Sequence, residues 1–148
     1  MIRELLPPES GLAADALLAL RPHRGRASDL TRAIDAQRLD GYRLVAAFEP
    51  GREQAVAAAG FRVTRSLAWG RHLYVDDLST LPQARGRGHA GRLLDRLGEE
   101  AGRAGCEQLH LDSGVGPDRA TAHRLYLNHG LQIVAHHFAA TVPLARSL

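Results

Sequence analysis

Lysine is absent from this sequence of 148 residues, and all 19 of its basic residues are arginine. A Walker A phosphate loop needs a lysine after its last glycine, and Schiff-base catalysis needs a lysine amine, so both are excluded. Aromatic residues make up only 5% of the chain, and the arginines are scattered along it. Nucleic-acid-binding proteins instead gather basic residues on one face, often among aromatics. We therefore expect no nucleic-acid partner.

Cysteine and long apolar runs are also scarce. The single Cys106 cannot form an internal disulfide, which is typical of a reducing compartment. No apolar run approaches the roughly 18 residues of a membrane-spanning helix, and the N-terminal residues lack the apolar core of a signal peptide. A chain of 148 residues that is 45% hydrophobic can bury one core. These features predict a single cytoplasmic domain over residues 1–148 with no membrane partner.

The sequence also lacks the motifs of two kinds of catalytic site, a hydrolase nucleophile and a metal centre. The segment Asp112-Ser113-Gly114 is not the G-x-S-x-G turn of an α/β-hydrolase. The eight histidines include no H-E-x-x-H pair, and the side chains of His136 and His137 would point to opposite faces of a strand. We therefore expect no metal cofactor.

Hydrophobic periodicity predicts an α/β domain with a mixed sheet, in the order β-α-α-β-β-β-α-β-α-β. Period-2 patterns and short buried runs predict strands at residues 2–6, 42–48, 55–69, 71–79, 106–111 and 131–142. Helical spacing predicts helices near residues 12–20, 28–39, 88–104 and 117–128. Hairpins are expected to connect the first half of the sheet and right-handed crossovers the second.

Residues 86–91 have the spacing G-x-G-x-x-G of a dinucleotide-binding turn. That turn follows its strand directly, whereas six residues separate Ser79 from Gly86. At the beginning of a helix, the same glycines would let backbone N–H groups approach an anion such as a pyrophosphate, with Arg85 and Arg87 at the rim. The alternative is a glycine-rich turn that only leads into a helix.

Two motifs together resemble one family. The pattern Gln83-x-x-Gly86-x-Gly88 follows a strand and a proline, and it resembles the acyl-CoA-binding motif Q/R-x-x-G-x-G/A of the GNAT superfamily of N-acetyltransferases. Residues 122–131 are similar to that family's A-x-x-x-Y-x-x-x-G-F segment. The resemblance covers residues 42–142 and departs from the family at Arg119, often asparagine, and at Leu131, commonly phenylalanine. It implies the GNAT fold, a central mixed and splayed β-sheet flanked by helices.

The resemblance also implies acetyl-CoA as cosubstrate and a role for each matched residue. The backbone of Leu78, Ser79 and Thr80 would pair with the pantetheine arm like an added strand. The pyrophosphate would be held by the backbone amides of Arg85, Gly86, Arg87, Gly88, His89 and Ala90. Tyr126 would donate a proton to the departing CoA thiolate. The alternative for Tyr126 is a core tyrosine, because it shares a helical face with Ala122 and Leu125.

A base or a proton path is needed to keep the attacking amine neutral. Strand alternation predicts His72, Tyr74 and Asp76 on one face and Asp77 on the other. Asp76 or Asp77 is a candidate to bind a cationic amine, and His72 a candidate to relay its proton. The alternative is that either carboxylate caps a helix or forms a salt bridge with an arginine.

These features predict an N-acetyltransferase that moves an acetyl group from acetyl-CoA to a primary amine of a small molecule or a protein by direct attack. The pocket for the amine would be built from the N-terminal helices, the strand of Asp76 and Asp77, and residues 136–138. The two carboxylates suggest a cation similar to a polyamine or an aminoglycoside, or a protein amine. The alternative function is a non-catalytic acyl-CoA sensor or regulatory subunit. A homodimer is possible, since dimers are common in the family and a sheet edge would permit one.

Overall fold

The computed structural model describes residues 1–145. Within them, the strands are β1 (Ile2–Leu5), β2 (Arg43–Ala47), β3 (Ala57–Ser66), β4 (Gly70–Thr80) and β5 (Gln108–Leu111). The α-helices are α1 (Ala14–Leu20), α2 (Ala27–Arg38), α3 (His89–Arg103) and α4 (Ala120–Asn128). By its internal contacts the chain divides into two compact units, Met1–Leu111 and the part that begins at Asp112. None of the helices within residues 1–145 has the length and apolarity that crossing a bilayer demands.

The first unit contains one sheet in the order β1-β2-β3-β4-β5. The pairs from β1 to β4 are antiparallel, and β5 pairs in parallel with β4. Since parallel strands need a crossover, α3 provides the connection between β4 and β5. The predicted α/β fold, a mixed sheet flanked by helices, is confirmed.

Apolar side chains cover the two faces of this sheet. On β2, Leu44 packs in one core cluster with α1 and α2, and Val45 packs in the other with α3. This is the alternation expected of a central strand. The α3 side is completed by Leu93 and Leu97, both fully buried and four residues apart on one helical stripe.

A β-bulge interrupts β4 at Asp76. Gly60 of β3 lies opposite Asp77, whereas the next residue, Phe61, lies opposite Val75, so Asp76 is the extra residue. The pairing of β4 with β5 ends at the pair Val75 and Leu111. Among the described residues, positions 77–80 of β4 therefore pair only with β3, and their edge on the side of β5 is open.

The last predicted strand is absent from the described residues. Residues 131–145 make no strand pairing, and the apolar side chains of Ile133, Val134, Phe138 and Val142 are exposed. The predicted order is therefore wrong in its final element. Strands exist only through ladder hydrogen bonds, and an apolar run does not show whether a partner strand lies beside it.

Candidate functional site

The glycine loop, residues 85–90, connects the end of β4 to α3. A single 3-10 turn over Pro82–Ala84 precedes it. Gly86 and Gly88 adopt φ of 79° and 82°, a left-handed conformation that favours glycine, and α3 begins at His89. The conformation of the predicted loop therefore depends on its two glycines.

Backbone N–H groups of this loop are available to a ligand. Gly86, Arg87 and Gly88 donate no backbone hydrogen bond within residues 1–145, and the first amides of any helix have no intrahelical acceptor. The Arg85 amide instead donates to the Pro82 carbonyl at 3.4 Å. The first turn of α3 contains no acidic residue. The loop thus presents a positive helix end and free donors, which suit a phosphate group.

Glu49, in the turn after β2, binds two side chains of the glycine loop. Arg87 Nη1 donates to both of its carboxylate oxygens, at 2.6 and 2.8 Å. His89 Nε2 lies 2.9 Å from Glu49 Oε2, and Arg92 donates to His89 Nδ1 at 3.0 Å. Because arginine can only donate, Nδ1 of His89 accepts and Nε2 carries the proton. Hydrogen bonds from Arg87 and then His89 hold the pKa of Glu49 below its ordinary value.

Sequence reasoning missed Glu49, since the side chain stands in an ordinary turn and only the fold brings it to the loop. It changes the expected role of Arg87. The guanidinium of Arg87 is committed to a carboxylate, whereas Arg85 forms no ion pair within residues 1–145. Of the two arginines of the loop, Arg85 is therefore the one whose charge is available to an anion.

A cavity of about 350 Å³ lies between α1, α2 and the bulge of β4. We call it the helix cavity. Its polar wall consists of Arg21, His23, Arg24, Gln37, Tyr42, Asp76 and Asp77. Its apolar wall consists of Leu17, Leu30, Ala33 and Ile34. Two of the three elements predicted to build the acceptor pocket, the N-terminal helices and the strand of Asp76 and Asp77, thus line one cavity, and residues 136–138 are not among its lining residues.

Asp77 accepts two hydrogen bonds at the wall of this cavity. The Tyr42 hydroxyl donates to Oδ2 at 2.9 Å, and Arg21 Nε donates to Oδ1 at 3.0 Å. Burial, followed by the charge of Asp77, raises the pKa of Tyr42 well above its ordinary value, so the hydroxyl keeps its proton at neutral pH. The predicted separation of Asp76 and Asp77 onto opposite faces is wrong, because the bulge breaks the alternation and both line one cavity.

Asp76 is paired through a two-pronged salt bridge. Arg62 of β3 donates to its two carboxylate oxygens at 2.9 and 2.8 Å. This is the geometry in which a guanidinium and a carboxylate bind most strongly. The alternative that either acidic residue pairs with an arginine thus applies to both, to Asp76 with Arg62 and to Asp77 with Arg21.

Residues 12–131 match the family model described as the acetyltransferase (GNAT) family. The chain belongs to the GNAT acetyltransferase family. An uncharacterized N-acetyltransferase of Bacillus subtilis, YhdJ, is 36% identical over 87 residues, which cover 59% of this chain and 58% of that protein. The chain thus aligns with less than two thirds of that relative's length.

Solved structures of GNAT-type acetyltransferases share the fold. A ribosomal-protein-alanine N-acetyltransferase from Brucella melitensis biovar Abortus 2308 superposes with a TM-score of 0.80 at 19% identity, covering 95% of this chain and 99% of that one. An aminoglycoside N-acetyltransferase in complex with CoA gives 0.76 at 16% identity, covering 97% and 95%. At this level of identity, the likeness establishes the fold of this GNAT member and not its acceptor.

His72 lies apart from the helix cavity of this GNAT chain. It is 3% exposed, and its Nδ1 lies 3.0 Å from the Gly70 carbonyl oxygen. Its ring packs edge-on against Trp69 and His110, which stack on each other with centroids 3.6 Å apart. Burial, then the neighbouring His72, lowers the pKa of His110. His72 lines a second cavity of about 310 Å³ with Arg62, Thr64 and Tyr74, and the structure does not bring it to Asp77.

Tyr126 belongs to the second compact unit of the chain. It lies on α4 with 9% of its surface exposed, and its hydroxyl makes no hydrogen bond within residues 1–145. The hydroxyl thus has no structural partner among these residues that would compete with its role as a proton donor.

Residues 136–138, the third predicted part of the acceptor pocket, form no strand. Phe138 is 92% exposed, and His137 Nδ1 lies 2.8 Å from Asp112 Oδ2. Within residues 1–145, no cluster of three or more potential metal ligands occurs.

Proposed function

We propose that this protein transfers an acetyl group from acetyl-CoA to a primary amine by direct attack, without a covalent enzyme intermediate. The observation that carries the proposal is the glycine loop, whose free amides lead into α3 one 3-10 turn after the open edge of β4. A loop for a pyrophosphate a few residues after an unpaired strand edge suits an extended ligand with phosphates at one end.

Both the open edge of β4 and the glycine loop support CoA as the ligand. The backbone of Leu78, Ser79 and Thr80 would pair with the pantetheine arm, since these positions have no β5 partner. The amides from Gly86 to Ala90 would hold the pyrophosphate, with Arg85 adding charge. Acetyl-CoA supplies the acetyl group as a thioester.

Two side chains would carry out the two proton transfers of the reaction. Asp77 holds the acceptor amine and takes its proton as the carbon–nitrogen bond forms. Tyr126 donates its proton to the sulfur as the carbon–sulfur bond breaks. Asp76 and His72 remain candidates for the base. Asp77 is favoured because Arg62 holds both oxygens of Asp76 with one guanidinium and His72 lines the other cavity, whereas each oxygen of Asp77 accepts only one hydrogen bond. The acceptor as small molecule or protein, the cytoplasmic location and the homodimer stay predictions.

Two measurements test the proposal. A thermal-shift titration compares acetyl-CoA and CoA with NAD and ATP; a ligand at 100 times its Kd adds about 2.7 kcal/mol of stability, which is readily visible as a raised Tm. Release of free CoA is then measured across a panel of amines. Stabilisation by acetyl-CoA with no turnover of any amine would favour the sensor or regulatory subunit. Stabilisation by NAD in place of CoA would contradict the assignment of the loop.

A further inference from the structure

If the protein acetylates an amine as proposed, the charged groups around the helix cavity indicate which class of amine binds there. A polyamine or aminoglycoside needs several carboxylates that are free to meet its ammonium groups. Both carboxylates of the cavity already have arginine partners, Asp76 with Arg62 and Asp77 with Arg21. Asp77 can still meet one amine through its remaining lone pairs, but the further ammonium groups of a polycation would have to displace Arg62 from Asp76, and such two-pronged, charge-assisted pairs are the strong ones.

The positive groups of the cavity are less fully paired. Arg24 makes no ion pair and no side-chain hydrogen bond within residues 1–145, and it lines the cavity. Arg21 donates from Nε to Asp77 and from Nη2 to the Asp76 carbonyl oxygen at 3.1 Å, while its Nη1 has no partner among the described residues. Arg21 is thus a fixed guanidinium with a donor to spare, and a fixed donor binds an anion at a smaller entropic cost.

We propose that the acceptor carries an anionic group, a carboxylate or a phosphate, a short apolar chain away from its amine. The anion meets Arg24 and Nη1 of Arg21. The amine meets Asp77, whose two oxygens accept one hydrogen bond each from Arg21 and Tyr42 and retain lone pairs. The apolar wall, with Leu17, Leu30 and Ile34, accommodates the methylene groups between them.

A matched series of amines tests this assignment by binding rather than by turnover. In 5-aminopentanoate, 4-aminobutylphosphonate, 1,4-diaminobutane and pentylamine, the same methylene chain ends in a carboxylate, a phosphonate, an ammonium or a methyl group. Their affinities are measured by calorimetry with CoA present and no acetyl donor. We expect one of the anionic amines to bind about tenfold more tightly than the diamine and pentylamine, in line with a hydrogen bond to a charged group. The tighter of the two anionic amines identifies the anion.

Two variants separate a specific contact from general charge. Arg24→Gln is expected to weaken the binding of the preferred anionic amine about fivefold and to leave pentylamine unchanged. Arg65→Gln is the matched control, because Arg65 is exposed on β3 and outside the cavity; it should change none of the four affinities. The Tm of each variant verifies that it is folded.

The inference is overturned if 1,4-diaminobutane binds as tightly as both anionic amines, or if Arg24→Gln weakens all four amines equally. Failure of the proposed function would look different. In that case the anionic preference persists with CoA bound, but acetyl-CoA acetylates none of the amines.

Discussion

Tyr42 lies directly over Gly60. A Cβ placed on Gly60 would overlap the hydroxyl and ring of Tyr42. The same hydroxyl donates to Asp77, which pairs with Gly60 across β3 and β4. The absence of a side chain at Gly60 therefore lets a buried tyrosine reach the carboxylate that we propose as the base.

Gly60→Ala should displace Tyr42 and destabilise the fold by about 1–3 kcal/mol, the usual cost of overpacking. The displaced hydroxyl should also lower the rate of acetyl transfer. Gly98→Ala is the control, since a Cβ there meets nothing within 4 Å and the position is in α3. We expect this change to raise the free energy of unfolding by about 0.5–1 kcal/mol, because alanine is the better helix residue. Urea denaturation measures both. Equal stability of the two variants would mean that Tyr42 moves aside without cost.

Much of this fold can be predicted because local pattern and tertiary structure agree. The stripe of Leu93, Leu94, Leu97 and Ala101 predicts α3, and the structure buries all four residues. The glycine loop is equally local, since its conformation depends on positive φ at Gly86 and Gly88. Features of this kind require only neighbours in sequence.

The features that prediction missed depend on distant partners. The bulge at Asp76 reflects the register of β4 against β3, which the pattern of β4 alone does not contain. Glu49 reaches the loop from a residue 38 positions before Arg87. The predicted strand at residues 131–142 required a neighbouring strand, and the described residues provide none. Each miss concerns contact between segments rather than the identity of a segment.

Glu49→Gln should weaken CoA binding with little loss of overall stability. Two of the groups that Glu49 holds, Arg87 and His89, lie within the glycine loop, so the change frees the loop to adopt conformations that do not bind. Calorimetry with CoA should show a several-fold rise in Kd. Glu53→Gln, an exposed change in the same turn region, serves as control. An unchanged Kd in Glu49→Gln would show that the glycines alone fix the loop.

Tyr126→Phe should lower kcat about 100-fold or more, because general acids typically contribute 10²–10⁴-fold. The Kd for CoA and the Tm should remain close to those of the parent, since the hydroxyl makes no hydrogen bond within residues 1–145. Steady-state kinetics with an accepted amine measures the loss. If kcat is retained, Tyr126 is a core tyrosine and another group protonates the thiolate.

The buried carboxylate of Glu100 should make the stability of the fold depend on pH. Burial alone would raise its pKa, but hydrogen bonds from Arg103 at 2.6 Å and Arg43 at 3.0 Å outweigh burial and hold the pKa below its ordinary value of 4.5. A carboxylate whose pKa is lowered by folding stabilises the fold above its unfolded pKa and loses that effect as the pH falls through its folded pKa. Glu100→Gln should therefore reduce Tm at neutral pH, and the difference from the parent should shrink below pH 4.5. Glu99→Gln, an exposed neighbour on the same helix, should leave the pH profile unchanged. A deficit of Glu100→Gln that is constant with pH would mean that lost packing, not lost charge, causes it.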